Sequence, residues 1–177
     1  MKLTWAKHTQ GYTTKLAWTM LLSVGNKSID DEHKKLISLV NDVERANRTK
    51  QVGDLFHVLK RLEALALTHF DNEERFADLV GHPFEEHHLE HQYILEEIRN
   101  MKNELVTPDK GWSESAAEYN YNLLSEWVIV HIRVDDMQLK AKLETYPYDF
   151  TLPDIPKYRA TGQLNTDRDN AFRRITR

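Results

Sequence analysis

Apolar positions along this chain recur three and four residues apart over four long stretches, with charged residues between them. That spacing is the pattern of a helix burying one face. The first stretch covers about residues 30–47 and aligns Ile29, His33, Leu36, Ile37, Val40 and Val43. Ser28 or Asp30 is placed to cap its start, and Asp31 and Glu32 fall in the first turn, where the helix dipole favours negative charge. The second covers about residues 54–80, with Leu55, Leu59, Leu62, Leu65, Ala66, His69, Glu73, Phe76 and Val80 in phase. The third, about residues 85–105, aligns His87, His91, Ile94, Leu95, Ile98, Met101 and Leu105. The fourth runs over about residues 113–145 and puts Leu123, Leu124, Trp127, His131 and Val134 on its core side. No stretch alternates in the manner of a strand. Gly53, Gly81-His82-Pro83 and Pro108 with Gly111 fall between the stretches, and Gly25 and Pro147 bound the set. Short connections between four helices predict an all-α fold, an antiparallel up-down-up-down four-helix bundle.

The ends read differently. Residues 1–28 carry Trp5, Tyr12 and Trp18 in a Thr-rich stretch without a period, which predicts an N-terminal arm lying over a bundle of residues 29–146. Beyond Pro147 the composition turns to Tyr, Pro, Asp and Arg, and Pro153 and Pro156 forbid a regular helix. Residues 147–177 are therefore expected to form a C-terminal surface tail, which is also the segment placed to dock a protein partner.

Composition narrows the function classes. In 177 residues, 24 basic against 28 acidic side chains give a formal charge of −4, not the basic excess of a nucleic-acid binder. The absence of Cys excludes disulfides, zinc–thiolate sites, Cys-ligated clusters and a thiol nucleophile. The longest apolar run, residues 16–22, is too short for a bilayer and lacks a cleavage site after it, so a cytoplasmic protein without membrane attachment is expected. Nine His remain to be explained.

Five of them, His33, His69, His87, His91 and His131, stand in phase with the Leu, Ile and Val of their own helices. A lone imidazole in a core is unremarkable, but one or more from every helix is a set. Without partners each would cost a few kcal/mol, on the order of 2–7, and a shared metal gives all of them a partner. Glu73 lies one turn after His69 on the same face, where a metal would compensate its buried charge. His87 and His91 are spaced to aim two rings at one ion. His88 is the alternative to His87, and the apolar phase of Ile94, Leu95 and Ile98 favours His87. A further carboxylate is Asp135 or Asp136. On an unbroken helix Asp136 points about 140° away from His131. Leu139 and Leu143 nevertheless continue the phase of Asp136, whereas Gln138 and Lys142 continue that of Asp135. A one-residue step of π type would bring Asp136 inward. Five imidazoles and two carboxylates exceed the needs of one ion and fit two ions sharing carboxylates. The donor types suit iron or manganese and admit zinc.

Four ordered segments carry a family resemblance: Ile29-Asp30-Asp31-Glu32-His33-Lys34-Lys35-Leu36, His69-Phe70-Asp71-Asn72-Glu73-Glu74, His87-His88-Leu89-Glu90-His91, and Trp127 to Asp136. In this order they give H…HxxxE…HxxxH…HxxxxD, and over about residues 18–146 the chain resembles the hemerythrin family, its bacterial members in particular. The resemblance implies a non-haem centre of two iron ions with an oxo or hydroxo bridge. His87, His91 and His131 would hold one iron and His33 and His69 the other, bridged by Glu73 and Asp136. It also implies reversible O2 binding at the open position of the two-His iron, for storage, transport or delivery, rather than enzymatic turnover. Leu36, Phe70 and Ile129 are expected to wall the O2 pocket. The alternatives are an O2, NO or redox sensor working through a partner, and a di-iron oxidoreductase of peroxidase type.

Overall fold

The computed structural model describes residues 15–107 and 113–152, and within them it contains helices and no strand. Trp5, Tyr12, His8, the Pro108–Gly111 connection and residues 153–177 of the expected tail lie outside the described residues. Four long helices form the bundle: α1 (Lys27–Thr49), α2 (Val52–Val80), α3 (Glu85–Val106) and α4 (Glu114–Val130). Helix α1 packs against both α2 and α4, and α2 also packs against α3.

Local chemistry fixes the ends. The cap of α1 is Asn26, not Ser28 or Asp30, and its side-chain oxygen accepts from the backbone N–H of Ser28 and Ile29. Asp30 is instead fully buried, accepting from Ser23 Oγ (2.6 Å), the Val24 N–H (2.9 Å) and Tyr148 Oη (3.0 Å). Helix α2 stops at Gly81, whose φ of +61° is the left-handed cap conformation that glycine adopts without a Cβ penalty. Ser113 caps α4 by accepting from the Ala116 N–H.

The fourth rod continues past Val130 through a π turn (His131–Asp135), a 3-10 turn (Asp136–Leu139) and a last α turn, α5 (Lys140–Leu143). The π turn inserts one residue into the helical count. Val134, expected on the core side, is 55% exposed because of it, while Asp136, Leu139 and Leu143 turn inward and are buried.

The core is two apolar clusters separated by a polar layer. The larger contains Leu36, Val40, Leu62, Ile98, Leu124 and Ile132. The smaller contains Val24, Ile29, Phe76, Ala77, Leu139 and Leu143, with Phe84, Phe150 and Leu152 packed on its rim. Residues 147–152 close this smaller end. Tyr148 C=O accepts from the Lys27 N–H (2.7 Å), and Phe150 C=O from Asn26 Nδ2 (2.9 Å).

Candidate metal centre

The polar layer between the clusters is where the in-phase His and carboxylates meet. His33 lies between Ile29 and Leu36 on α1, Glu73 between Phe70 and Phe76 on α2, and Asp136 between Ile132 and Leu139, so each helix crosses from one cluster to the other through a donor. His33, His69, Glu73 and Asp136 are completely buried, and His91 and His131 nearly so. His87 is half-buried at the edge of the layer. His88 faces outward and pairs with Gln92 (2.8 Å), which leaves the inward place on α3 to His87. His57 is exposed and His82 half-buried, and neither joins the layer.

Donor atoms fall into two groups, each within 4.8 Å of one another: Glu73 with His87, His91 and His131, and Glu73 with His33, His69 and Asp136. Glu73 is common to both. Its Oε2 lies 3.3 Å from His91 Nε2, 3.4 Å from His69 Nε2 and 3.6 Å from His131 Nε2, and its Oε1 lies 3.9 Å from His33 Nε2. Asp136 also reaches both ways. Its Oδ2 is 3.0 Å from His33 Nε2, and its Oδ1 is 3.2 Å from His87 Nε2 and 3.3 Å from His131 Nε2. The structure thus brings together all seven donors expected from the sequence, and it is Asp136, not Asp135, that the π turn delivers.

Whether these residues suit a metal is answered by their unmet bonding. Fourteen buried side-chain N and O atoms among the described residues lack a hydrogen bond, and eleven belong to these seven residues. Nine of the eleven are the five Nε2 atoms and the four oxygens of Glu73 and Asp136 that face one another; each orphan costs about 1–3 kcal/mol, and a metal would satisfy these nine. The donors are imidazole nitrogen and carboxylate oxygen only, a set suited to first-row divalent ions.

Electrostatics agree. Burial works to raise the Glu73 carboxyl, yet His69 and the other rings hold it well below the ordinary range. Asp136, which burial and Glu73 both push upward, is brought down overall by His131, His33 and His87. Burial pushes His33 down, but Asp136 and Glu73 outweigh it and lift the ring to about 9. His91 goes the other way: burial dominates and its ring falls to about 4.

Two kinds of neighbour support the layer, and sequence reasoning missed most of them. Glu32, read as a first-turn residue facing the dipole, is buried and accepts at 3.0 Å from His69 Nδ1, while Asn72 Nδ2 donates to its other oxygen (2.6 Å). That bond fixes which nitrogen of His69 carries hydrogen and leaves Nε2 to the centre. Glu32 lies three residues after Ile29 and four before Leu36, so its place on the buried stripe was the available signal. Around the three-His group the neighbours are aromatic. Phe70 stacks on His91 (3.6 Å between ring centres, 8° between planes), Trp127 on His131 (5.4 Å, 21°), and Phe84 lies against His87 (4.4 Å). Of the three residues expected to wall an O2 pocket, Leu36 and Phe70 are buried, and Ile129 is half-buried against the larger cluster. No helix among the described residues is long and apolar enough to cross a membrane.

Comparison with known proteins points to one family. Residues 24–143 match the family model described as the hemerythrin HHE cation binding domain. A bacteriohemerythrin of Pseudomonas aeruginosa is 29% identical over 121 residues, 68% of this chain and 76% of the relative. One from Stenotrophomonas maltophilia is 25% identical over 136 residues, covering 74% and 86%. A hemerythrin-like protein of Naegleria gruberi is 25% identical over 127 residues, covering 71% and 92%. With the family model spanning the whole bundle and every donor of the buried layer inside it, the chain belongs to the hemerythrin family, whose domain binds non-haem iron.

Proposed function

We propose that this protein binds O2 reversibly at two iron ions held in the buried layer, and that it serves oxygen storage, transport or delivery rather than catalysis. The observation that carries the reading is the unequal split of imidazoles about a shared Glu73: three in one group, two in the other. His87, His91 and His131 would hold one ion, His33 and His69 the other, with Glu73 and Asp136 spanning both and a solvent-derived oxo or hydroxo bridge completing the pair. An ion held by His33 and His69 would have fewer protein donors than its neighbour and so could take up a ligand. A pair of iron ions supplies the electrons that O2 binding requires and takes them back on release.

The chain's own residues set the conditions. Glu32 orients His69 and raises the donor strength of its Nε2. Phe70, Phe84 and Trp127 pack the three-His side, and Leu36 extends the apolar surface one turn beyond His33. Buried Leu36 keeps water from the two-His side, which disfavours the charge separation and proton delivery that turn oxygen binding into oxygen consumption. The names of the bacteriohemerythrin relatives support the same reading.

The test is metal analysis with an optical spectrum. The reduced, iron-loaded chain should carry two irons, develop a visible charge-transfer band in air and lose it when O2 is removed. One zinc and no colour would reject the reading. Rapid turnover of added peroxide would move the protein to the oxidoreductases.

A further inference from the structure

The five imidazoles are not equally sealed. The side chains of His33, His69, His91 and His131 expose 4% or less, and that of His87 exposes 9%. Solvent therefore comes nearest to the centre at His87, whose Nε2 is buried and has no hydrogen bond. The side chain covering it is Phe84. Its ring lies 4.4 Å from that of His87 at 42°, and 5.5 Å from that of His91. Phe84 is half-buried and belongs to the turn after Gly81 rather than to a helix interior, so its ring can swing without disturbing a helical hydrogen bond. On its other side it rests on the smaller apolar cluster, together with Phe150 and Leu152.

Two carboxylates flank this point and belong to neither donor group. Asp135 is half-buried at the end of the π turn and directly precedes Asp136, whose Oδ1 lies 3.2 Å from His87 Nε2. Glu90, three residues beyond His87 on α3, is exposed. The opposite flank of the layer is closed differently: both Glu32 oxygens are engaged, one by His69 and one by Asn72.

We propose that iron(II) enters and leaves the centre past His87, with Phe84 as a movable cover and Glu90 and Asp135 as a negative collar that gathers the cation there. This rests on the metal-centre reading above. A hydrated divalent ion cannot cross packed Leu and Ile. It must exchange water for protein donors where a donor stands closest to solvent, and that donor is His87. Carboxylates around such a point raise the local cation concentration and the association rate. A half-buried ring on a turn moves at far lower cost than a helix pair separates.

The experiment uses the full chain and two anaerobic rates: uptake of iron(II) by the metal-free protein at several salt concentrations, and extraction from the loaded protein by excess bipyridine. Phe84→Ala should raise both rates at least about tenfold, as expected when a lid is removed. Phe84→Leu, which keeps apolar bulk on the lower cluster, should raise them less. Glu90→Gln, at an exposed position that folding does not depend on, should slow uptake several-fold and flatten its salt dependence. The proposal is overturned if Phe84→Ala, or Phe84→Leu should the smaller side chain prevent folding, loads fully at parental rates. It is equally overturned if Glu90→Gln leaves uptake and its salt dependence unchanged. A parent chain that takes up no iron would instead refute the metal-centre reading and the route with it, a result distinct from unchanged rates in a loaded variant.

Discussion

The two halves of the buried layer use the same donors and are supported in opposite ways. On the three-His side, Phe70 and Trp127 stack on the imidazoles of His91 and His131. On the two-His side, Glu32 and Asn72 hold His69 by hydrogen bonds, and Asp136 faces His33 at 3.0 Å. Burial drives the His91 ring down to about 4, whereas His131, stacked on Trp127 in the same half, is lifted against its burial by Asp136 and Glu73. Charged neighbours fix position and strengthen the donor at once, and His33 rises to about 9. The shared carboxylates Glu73 and Asp136 act on both halves, and what separates the halves is ring packing on one and the Glu32–Asn72 hydrogen bonds on the other.

The largest effect should come from erasing what the halves share. Glu73→Ala removes the carboxylate common to both donor groups, and iron analysis should show both ions lost rather than one. Retention of a full complement would mean that the halves are independent sites. Glu32→Gln acts on one half only. It keeps the shape but weakens the acceptor for His69 Nδ1, and affinity at the two-His side should fall about 10–100-fold while the other ion stays bound. Sequential titration with iron(II) followed by a chelator measures this, and equal loss of both ions would contradict it.

The smallest effect is on pH dependence in the metal-free chain. The His33 pKa is raised when folded, so its contribution to stability is complete below the unfolded value of 6.5 and disappears as pH rises through about 9. The His91 pKa is depressed, so the folded state loses stability as pH falls from 6.5 towards about 4. Melting of the metal-free protein should therefore weaken in both directions, by roughly 2–4 °C for each kcal/mol lost. Imidazole NMR should find His33 charged and His91 neutral at pH 7. The reverse order of titration would show that the carboxylates do not lift His33, and burial does not lower His91, as described.

How far the sequence carried the argument depends on the interaction. Burial follows phase, so the stripes through Leu36, Leu62, Ile98 and Leu124 were enough to place four helices. The step before Asp136 was visible because Leu139 and Leu143 resume the core phase one residue late. The same step misplaced Val134, which lies inside the inserted turn, where neither register applies. Asn72 and Phe84 were not picked out, since their roles depend on which helix lies opposite and no local pattern encodes that, and the stripe position of Glu32 signals its burial but not its partner. Asn26 was passed over as the cap of α1 in favour of Ser28 and Asp30. Asp30 has other work: it ties Ser23, Val24 and Tyr148 to the helix that carries His33. That tie joins residues more than a hundred positions apart, and it makes residues 147–152 part of the folded body rather than the start of a tail.

Because the donors sit where one apolar cluster gives way to the other, the bundle has a waist with no greasy filling of its own. Ions seated there would act as rivets, joining two ends that otherwise share only the rods running through both. A chain of this design couples the integrity of its whole body to a handful of bonds at mid-height, and losing its metal would loosen the molecule across the middle before either end gave way.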